Sequence, residues 1–156
     1  MKLKTWMKSA LAVGALMSLT TGALADGMLR YATVGEPPSL DQQVVTSDLA
    51  TTIAHHMFNG LYTFNGANAP VPLLASGETV SEDGKTIVIG LRKGVQFHNG
   101  QAMTSADVLA SLQRWGEFGS RGSLIFDHVD SVEATGDYEI TLNLKEPFGP
   151  WKNLMA

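Results

Sequence analysis

Between Ser76 and Trp115 the spacing of apolar positions changes from two residues to about three and a half. Ile87, Ile89 and Leu91 alternate with Thr86, Val88 and Gly90, the period of a strand with one strongly apolar face. Glu82-Asp83-Gly84-Lys85 precedes it as a turn, with Gly84 free to take positive φ, so the segment reads strand, tight turn, strand. Asn99-Gly100 marks a second turn. Beyond it Val108, Leu109, Leu112 and Trp115 share one helical stripe. Thr104-Ser105-Ala106-Asp107 opens that helix as a capping box: a hydroxyl faces the orphan amides, and a carboxylate three residues on reaches back. The positive end of the helix dipole also favours Asp107 there.

The same reading extends in both directions. Met28 to Val34 predicts a short strand covered on both sides, because both of its faces carry apolar groups. Gly35-Glu36-Pro37-Pro38 stops it, since prolines cannot continue a ladder. A helix is expected over Asp48 to Phe58, with Leu49, Ile53 and Met57 as its stripe, a cap at Thr46 or Ser47, and Asn59-Gly60 as its stop. Leu61 to Phe64 reads as a brief strand, and Pro70 and Pro72 as loop. Gly116 to Ser123, with three glycines and no periodicity, predicts a mobile surface loop. Val129–Ala134 and Tyr138–Leu144 flank Thr135-Gly136-Asp137 as a second hairpin, with Tyr138, Ile140, Leu142 and Leu144 inward. Pro150 suits the first position of a further helix, of which Trp151 to Ala156 are the opening turns. The expected class is α+β.

The first 25 residues stand apart. Lys2, Lys4 and Lys8 form a positive region, Ala10 to Thr20 an apolar one, and Ala23-Leu24-Ala25 a small-x-small site. This is the pattern of a signal peptide cleaved after Ala25, and the apolar run is too short to span a bilayer. The absence of cysteine excludes disulfides, thiol catalysis, zinc–thiolate sites and a lipidated N-terminal cysteine. The expected product is free in the periplasm, with full secretion as the alternative, and is not a lipoprotein. Without those three lysines, 8 basic residues face 15 acidic ones, a net charge of −7. That balance, without basic clusters, argues against nucleic acid and anionic membranes as partners.

Three runs recur together in a known order: Val80-Ser81-Glu82-Asp83-Gly84-Lys85-Thr86, then Leu91-Arg92-Lys93-Gly94-Val95-Gln96-Phe97-His98-Asn99-Gly100, then Ser105-Ala106-Asp107-Val108. Preceded by a strand, a proline turn and Ser39-Leu40-Asp41, they resemble the family 5 extracellular solute-binding proteins, receptors of peptide, dipeptide and nickel ABC importers. The resemblance implies the two-lobed, type II α/β periplasmic binding protein fold, with an extra α+β domain inserted in the first lobe. Residues 26–58 would then open the first lobe, 59–150 would form most of the insert, and 151–156 would begin the next helix. Family members are several times longer, so the chain is expected to be an N-terminal fragment of such a receptor. The implied partners are a peptide or similar small solute and membrane permease subunits, with a monomeric receptor and no cofactor.

Site residues come from that resemblance. The segment after Ser-Leu-Asp would meet solute at the lip of the first lobe, which here is Val45, Thr46, Ser47 and Asp48; Thr46 or Ser47 serves equally well as a helix cap. In the glycine-rich loop Arg121 could pair with a solute carboxylate, or be an ordinary exposed arginine. Elsewhere the chemistry is thin. His55 and His56 point about 100° apart on a helix and cannot share an ion; His56 is expected to pack in the core. His98 and His128 are isolated, and the glycine-rich loop lacks the P-loop pattern and its lysine. No nucleophile–base pair is defensible from spacing, so no enzymatic activity is expected. Two other readings remain open: a small exported hydrolase, which needs such a pair, and a self-contained interaction domain, which needs a complete sheet.

Overall fold

The computed structural model describes residues 30–156, so the expected signal peptide and its cleavage site lie outside the described residues. The chain divides into two compact units at Val34/Gly35. In the first, residues 30–34 form no strand, contrary to the reading of Met28–Val34. A strand exists by pairing. Tyr31 and Val34 are 72% and 100% exposed rather than covered, and Met28 and Leu29 lie outside the described residues.

The second unit holds the elements α1 (Asp48–Ala54), β1 (Tyr62–Phe64), β2 (Pro70–Pro72), β3 (Ala75–Val80), β4 (Thr86–Leu91), α2 (Ser105–Phe118), α3 (Ser120–Phe126), β5 (Val129–Gly136), β6 (Glu139–Leu144) and α4 (Trp151–Leu154). Its centre is a four-stranded antiparallel sheet in the order β3-β4-β6-β5. Both hairpins follow the sequence pattern. Gly84 takes φ 69° in the β3–β4 turn. Ile87, Ile89 and Leu91 of β4 and Ile140, Leu142 and Leu144 of β6 are buried on one face. The register pairs Ile87 with Leu142 and Ile89 with Ile140, so cross-strand neighbours form the middle of the core. Tyr138 is only half-buried, at the turn.

A bulge interrupts β3 between Ala75 and Gly77. It brings the Ser76 hydroxyl to 2.7 Å from where a Cβ on Gly90 would lie. A side chain at position 90 would make the Ser76 hydroxyl move, so glycine suits that kink.

Helix α2 covers the sheet, burying Val108 and Leu112. Its cap forms through Asp107, whose carboxylate accepts from the Thr104 amide (2.8 Å) and hydroxyl (2.9 Å). These bonds favour the charged form and hold the carboxyl below its ordinary range.

The expected loop after Trp115 is instead a helical corner: α2 runs on to Phe118, Gly119 makes the joint and α3 follows. The glycines are there for contact. A Cβ on Gly116 would meet the Phe126 ring at 2.6 Å, and one on Gly122 would meet the Trp115 carbonyl oxygen at 2.0 Å. Close approach, not freedom, explains the composition.

Two further elements differ from the sequence reading. Pro70 and Pro72 form a strand with β1, registered Phe64 to Pro70 and Tyr62 to Pro72. The flanking bonds, Asn65 amide to Ala69 oxygen and Leu73 amide to Leu61 oxygen, place odd-numbered residues toward the partner. Both prolines therefore fall where an amide would point away from the ladder, which is why the pairing tolerates them. Helix α1 stops at Ala54 rather than Phe58, in a tightened turn with His56 amide to Ile53 oxygen and Met57 amide to Ala54 oxygen. Its buried residues are Ala50 and Ala54, one turn apart.

Helix α4 begins as expected near Pro150 and buries Trp151, whose ring meets Tyr62 edge-on at 5.7 Å. The Tyr62 hydroxyl donates to Glu78 (3.3 Å), and Lys152 pairs with the same carboxylate. Burial first, then the Glu78 charge, pushes the Tyr62 phenol well above its ordinary value. This cluster ties β1, β3 and α4 together.

Candidate functional site

The segment expected to face solute begins with a compact turn. The Asp41 amide donates to Ser39 Oγ (3.1 Å) and the Gln43 amide to Asp41 Oδ1 (3.2 Å). The Val44 and Val45 amides both donate to the Asp41 carbonyl, at 3.1 and 3.0 Å. Asp41 is thus an Asx turn residue that also gathers the backbone around its own carbonyl.

Val45 follows half-buried and Thr46 exposed. Ser47 is the N-cap of α1, its hydroxyl accepting from the Ala50 amide at 3.3 Å. Of the two capping candidates, the structure selects Ser47. Asp48 is exposed in the first helical turn, where the helix dipole favours a carboxylate. The four residues therefore form a short, continuous stretch from turn to helix.

Helix α2 anchors this stretch, a feature the sequence reading missed. Arg114 donates to both carboxylate oxygens of Asp41, at 3.1 and 2.5 Å, and to Gln43 Oε1 at 2.6 Å. Gln43 in turn donates to the carbonyl (3.2 Å) and hydroxyl (3.0 Å) of Ser111, one turn back on α2. The guanidinium also lies 5.6 Å from the Phe118 ring centre. Its hydrogen bonds hold the Asp41 carboxyl below its ordinary range, and Arg114 rises in return. Both side chains are partly exposed, 45% and 37%, so water screens the pair and its contribution is geometric more than energetic. The signal in the sequence was slight: Ser111 and Arg114 lie three apart on the polar side of the helix.

Arg121 sits on α3, not on a loop, and donates to the Ala156 carbonyl at 2.9 Å. No hydrogen bond or ion pair joins it to residues 45–48 among the described residues. His55 and His56 are both exposed. This corrects the core placement of His56, which lies past the end of the shortened α1, where helical phase no longer sets its direction. His128 is not isolated: it stacks on Phe148 at 4.1 Å between centres and lies 3.3 Å from Glu146. Among the described residues no three His, Cys, Asp or Glu side chains converge as metal ligands would. Ser76, Leu91, Arg92 and Lys93 line an open dish.

The described residues thus form a mixed helix-and-strand unit with a capped α2 behind a four-stranded sheet and a Ser-Leu-Asp turn fastened to that helix. Residues 69–156 match the family described as bacterial extracellular solute-binding proteins, family 5 Middle, and the chain belongs to that family. A probable peptide ABC transporter periplasmic-binding protein, y4tO, of Sinorhizobium fredii is 29% identical over 148 residues, which are 95% of this chain and 28% of that protein. Among solved structures, the binding protein AgaA of A. tumefaciens with agropinic acid is 29% identical, with a TM-score of 0.70 over 78% of this chain and 25% of its own. The oligopeptide-binding protein AppA of Bacillus subtilis with a nonapeptide is also 29% identical, with a TM-score of 0.64 over 72% and 23%. The chain thus spans less than a third of these relatives' length, and its fold is that of part of the two-lobed periplasmic binding proteins. The family consists of solute-binding proteins rather than enzymes.

Proposed function

We propose that this chain supplies the entry to the first ligand-binding lobe, and most of the inserted domain, of a receptor that captures peptides or similar small solutes for an ABC importer. In this reading residues 26–58 belong to the lobe and residues 59–150 to the insert. The observation that carries it is the Ser39–Asp48 turn, which presents Val45, Thr46 and Asp48 on a stretch held by α2. Thr46 and Asp48 offer exposed polar side chains, and the stretch from Val45 to Asp48 offers main-chain atoms, the groups that recognise an extended peptide through its own backbone. The permease subunits of the importer are the expected partners of the closed form, and the periplasm the expected compartment, after cleavage behind Ala25. Capture in such a receptor needs a second lobe to close over the solute. These residues would form one wall of that closure, so weak solute binding is expected of them by themselves. Among the described residues His128 meets the Glu146 carboxylate and the Phe148 ring rather than a hydroxyl.

Arg121 is the weaker member of the proposed set, since it donates to the backbone carbonyl of Ala156.

The test is an amide-shift titration of the isotopically labelled chain with trialanine at millimolar concentration. Shifts concentrated at residues 45–48 support the assignment. Shifts confined to the open dish around Arg92, or submicromolar binding to a dipeptide library by calorimetry, overturn it.

A further inference from the structure

The link between α2 and the Ser39–Val45 turn is more specific than a surface ion pair needs to be. Arg114 uses one nitrogen on Asp41 Oδ2 and the other on both Asp41 Oδ1 and Gln43 Oε1. The Gln43 amide group is thereby oriented, with its nitrogen left to bond Ser111. A planar fork can satisfy this pattern, whereas an ammonium cannot reach the same three acceptors in one plane. Asp41 is bound on every side: its carboxylate takes the guanidinium and the Gln43 amide, and its carbonyl takes the Val44 and Val45 amides. The hydrogen bonds that leave residues 39–54 for the sheet and helices beyond residue 60 all end on Ser111 or Arg114 among the described residues.

The consequence falls on the residues that follow. Val45 is the last to bond back to Asp41, and Ser47 starts α1. The position of Thr46 and of the first turn of α1 relative to α2 therefore depends on where Asp41 is held. We infer that Arg114 is a positioning residue for the solute-facing segment: with Gln43 and Ser111 it fixes the Asp41 turn on α2, and so sets where Val45 to Asp48 meet solute. This rests on the reading of those four residues given under Proposed function; the placement itself can be measured without any solute.

The test uses the 156-residue chain and the variants Arg114→Lys, Arg114→Ala and Asp41→Asn. In the unsubstituted chain the Asp41 carboxyl titrates below ordinary aspartates by carbon-detected NMR. In Arg114→Ala it returns toward them, and hydrogen exchange at the Gln43, Val44 and Val45 amides quickens by roughly tenfold or more while amides of β4 and β6 keep their protection. Arg114→Lys restores part of the Asp41 shift but not the amide protection, because the charge is kept and the fork is lost. Asp41→Asn quickens the same amides with Arg114 intact, which covers the case in which the alanine variant folds poorly. Unchanged exchange at residues 43–45 in both Arg114→Ala and Asp41→Asn overturns the positioning role. So does full rescue by lysine.

A trialanine titration of the same samples separates the two claims. Loss of the shifts at residues 45–48 in Arg114→Ala supports the inference. Intact shifts despite rapid exchange overturn it while leaving the receptor reading in place. Absence of those shifts in the unsubstituted chain overturns the receptor reading, and with it the solute-facing part of the inference.

Discussion

Replacing Gly122 by alanine separates a packed helical corner from a mobile loop by the sign of its effect. Were residues 116–123 a solvated loop, or an ordinary exposed helix, the added methyl would stabilise the chain by about 0.4–1 kcal/mol, through the loss of unfolded-state freedom. The structure predicts the reverse. The new Cβ would stand 2.0 Å from the Trp115 carbonyl oxygen, 2.5 Å from its carbonyl carbon and 2.9 Å from Cδ2 of its ring. Two of these three atoms are backbone of α2, so no rotamer change relieves them. The two helices must separate by more than an ångström to reach ordinary contact, and Gly122 and Ile125 are buried at that joint. Overpacking of this kind costs about 1–3 kcal/mol and more where backbone is involved. After the propensity gain, a net loss of about 1–3 kcal/mol is expected. The assay is urea unfolding followed by tryptophan fluorescence, which Trp115 reports directly, with the midpoint read at constant slope. Gly66→Ala is the control: nothing lies within 4 Å of a Cβ there, so its effect should stay within about 0.5 kcal/mol. A Gly122→Ala chain as stable as the unsubstituted one, or more so, refutes the packed corner.

Three other outcomes follow from the same structure. Ile140→Ala, at a wholly buried site of β6 opposite Ile89, should cost about 2–5 kcal/mol in the same denaturation assay. Ser47→Ala removes the side-chain cap of α1 and should destabilise that helix by about 0.5–2 kcal/mol, seen as faster exchange of the Ala50 amide with no change at β4. For pH, the Asp41 carboxyl is lowered in the folded chain, mainly by its hydrogen bonds from Arg114. A lowered carboxylate contributes stability that is present above its unfolded value and is lost as pH falls through the folded one. Amide protection at residues 43–45 should therefore hold at neutral pH and fail below the ordinary carboxylate range, and Asp41→Asn should lack that transition.

The parts of the fold that were legible in the sequence are those where one local rule decides. The alternation of Ile87, Ile89 and Leu91, the Asp-Gly turn before them and the Thr104–Asp107 cap each depend on residues a few positions apart, and all three appear. What was not legible depends on distant neighbours. Glycines at 116, 119 and 122 look alike whether they loosen a loop or admit the Phe126 and Trp115 side chains, and only the tertiary contact distinguishes the two. Pro70 and Pro72 read as breakers, yet their two-residue spacing turns both missing amides away from β1. The first strand was read from its own residues, whereas a strand forms by pairing with distant ones, and residues 30–34 do not take strand form. The site shows the same division. Ser47 as a cap was within reach of sequence reasoning. Arg114 was not, because its partner lies 73 positions away and nothing in the periodicity of α2 distinguishes it from any other polar residue on the exposed face.

The central claim, that these residues form one wall of a solute receptor, is tested most directly by grafting. In a chimera, the part of AppA that this chain matches is replaced by the corresponding residues from it, and nonapeptide binding is measured by calorimetry once cooperative unfolding shows that the chimera is folded. The account predicts saturable one-to-one binding within about 1.4 kcal/mol, or tenfold, of AppA itself. A folded chimera that gives no heat of binding at any peptide concentration contradicts it.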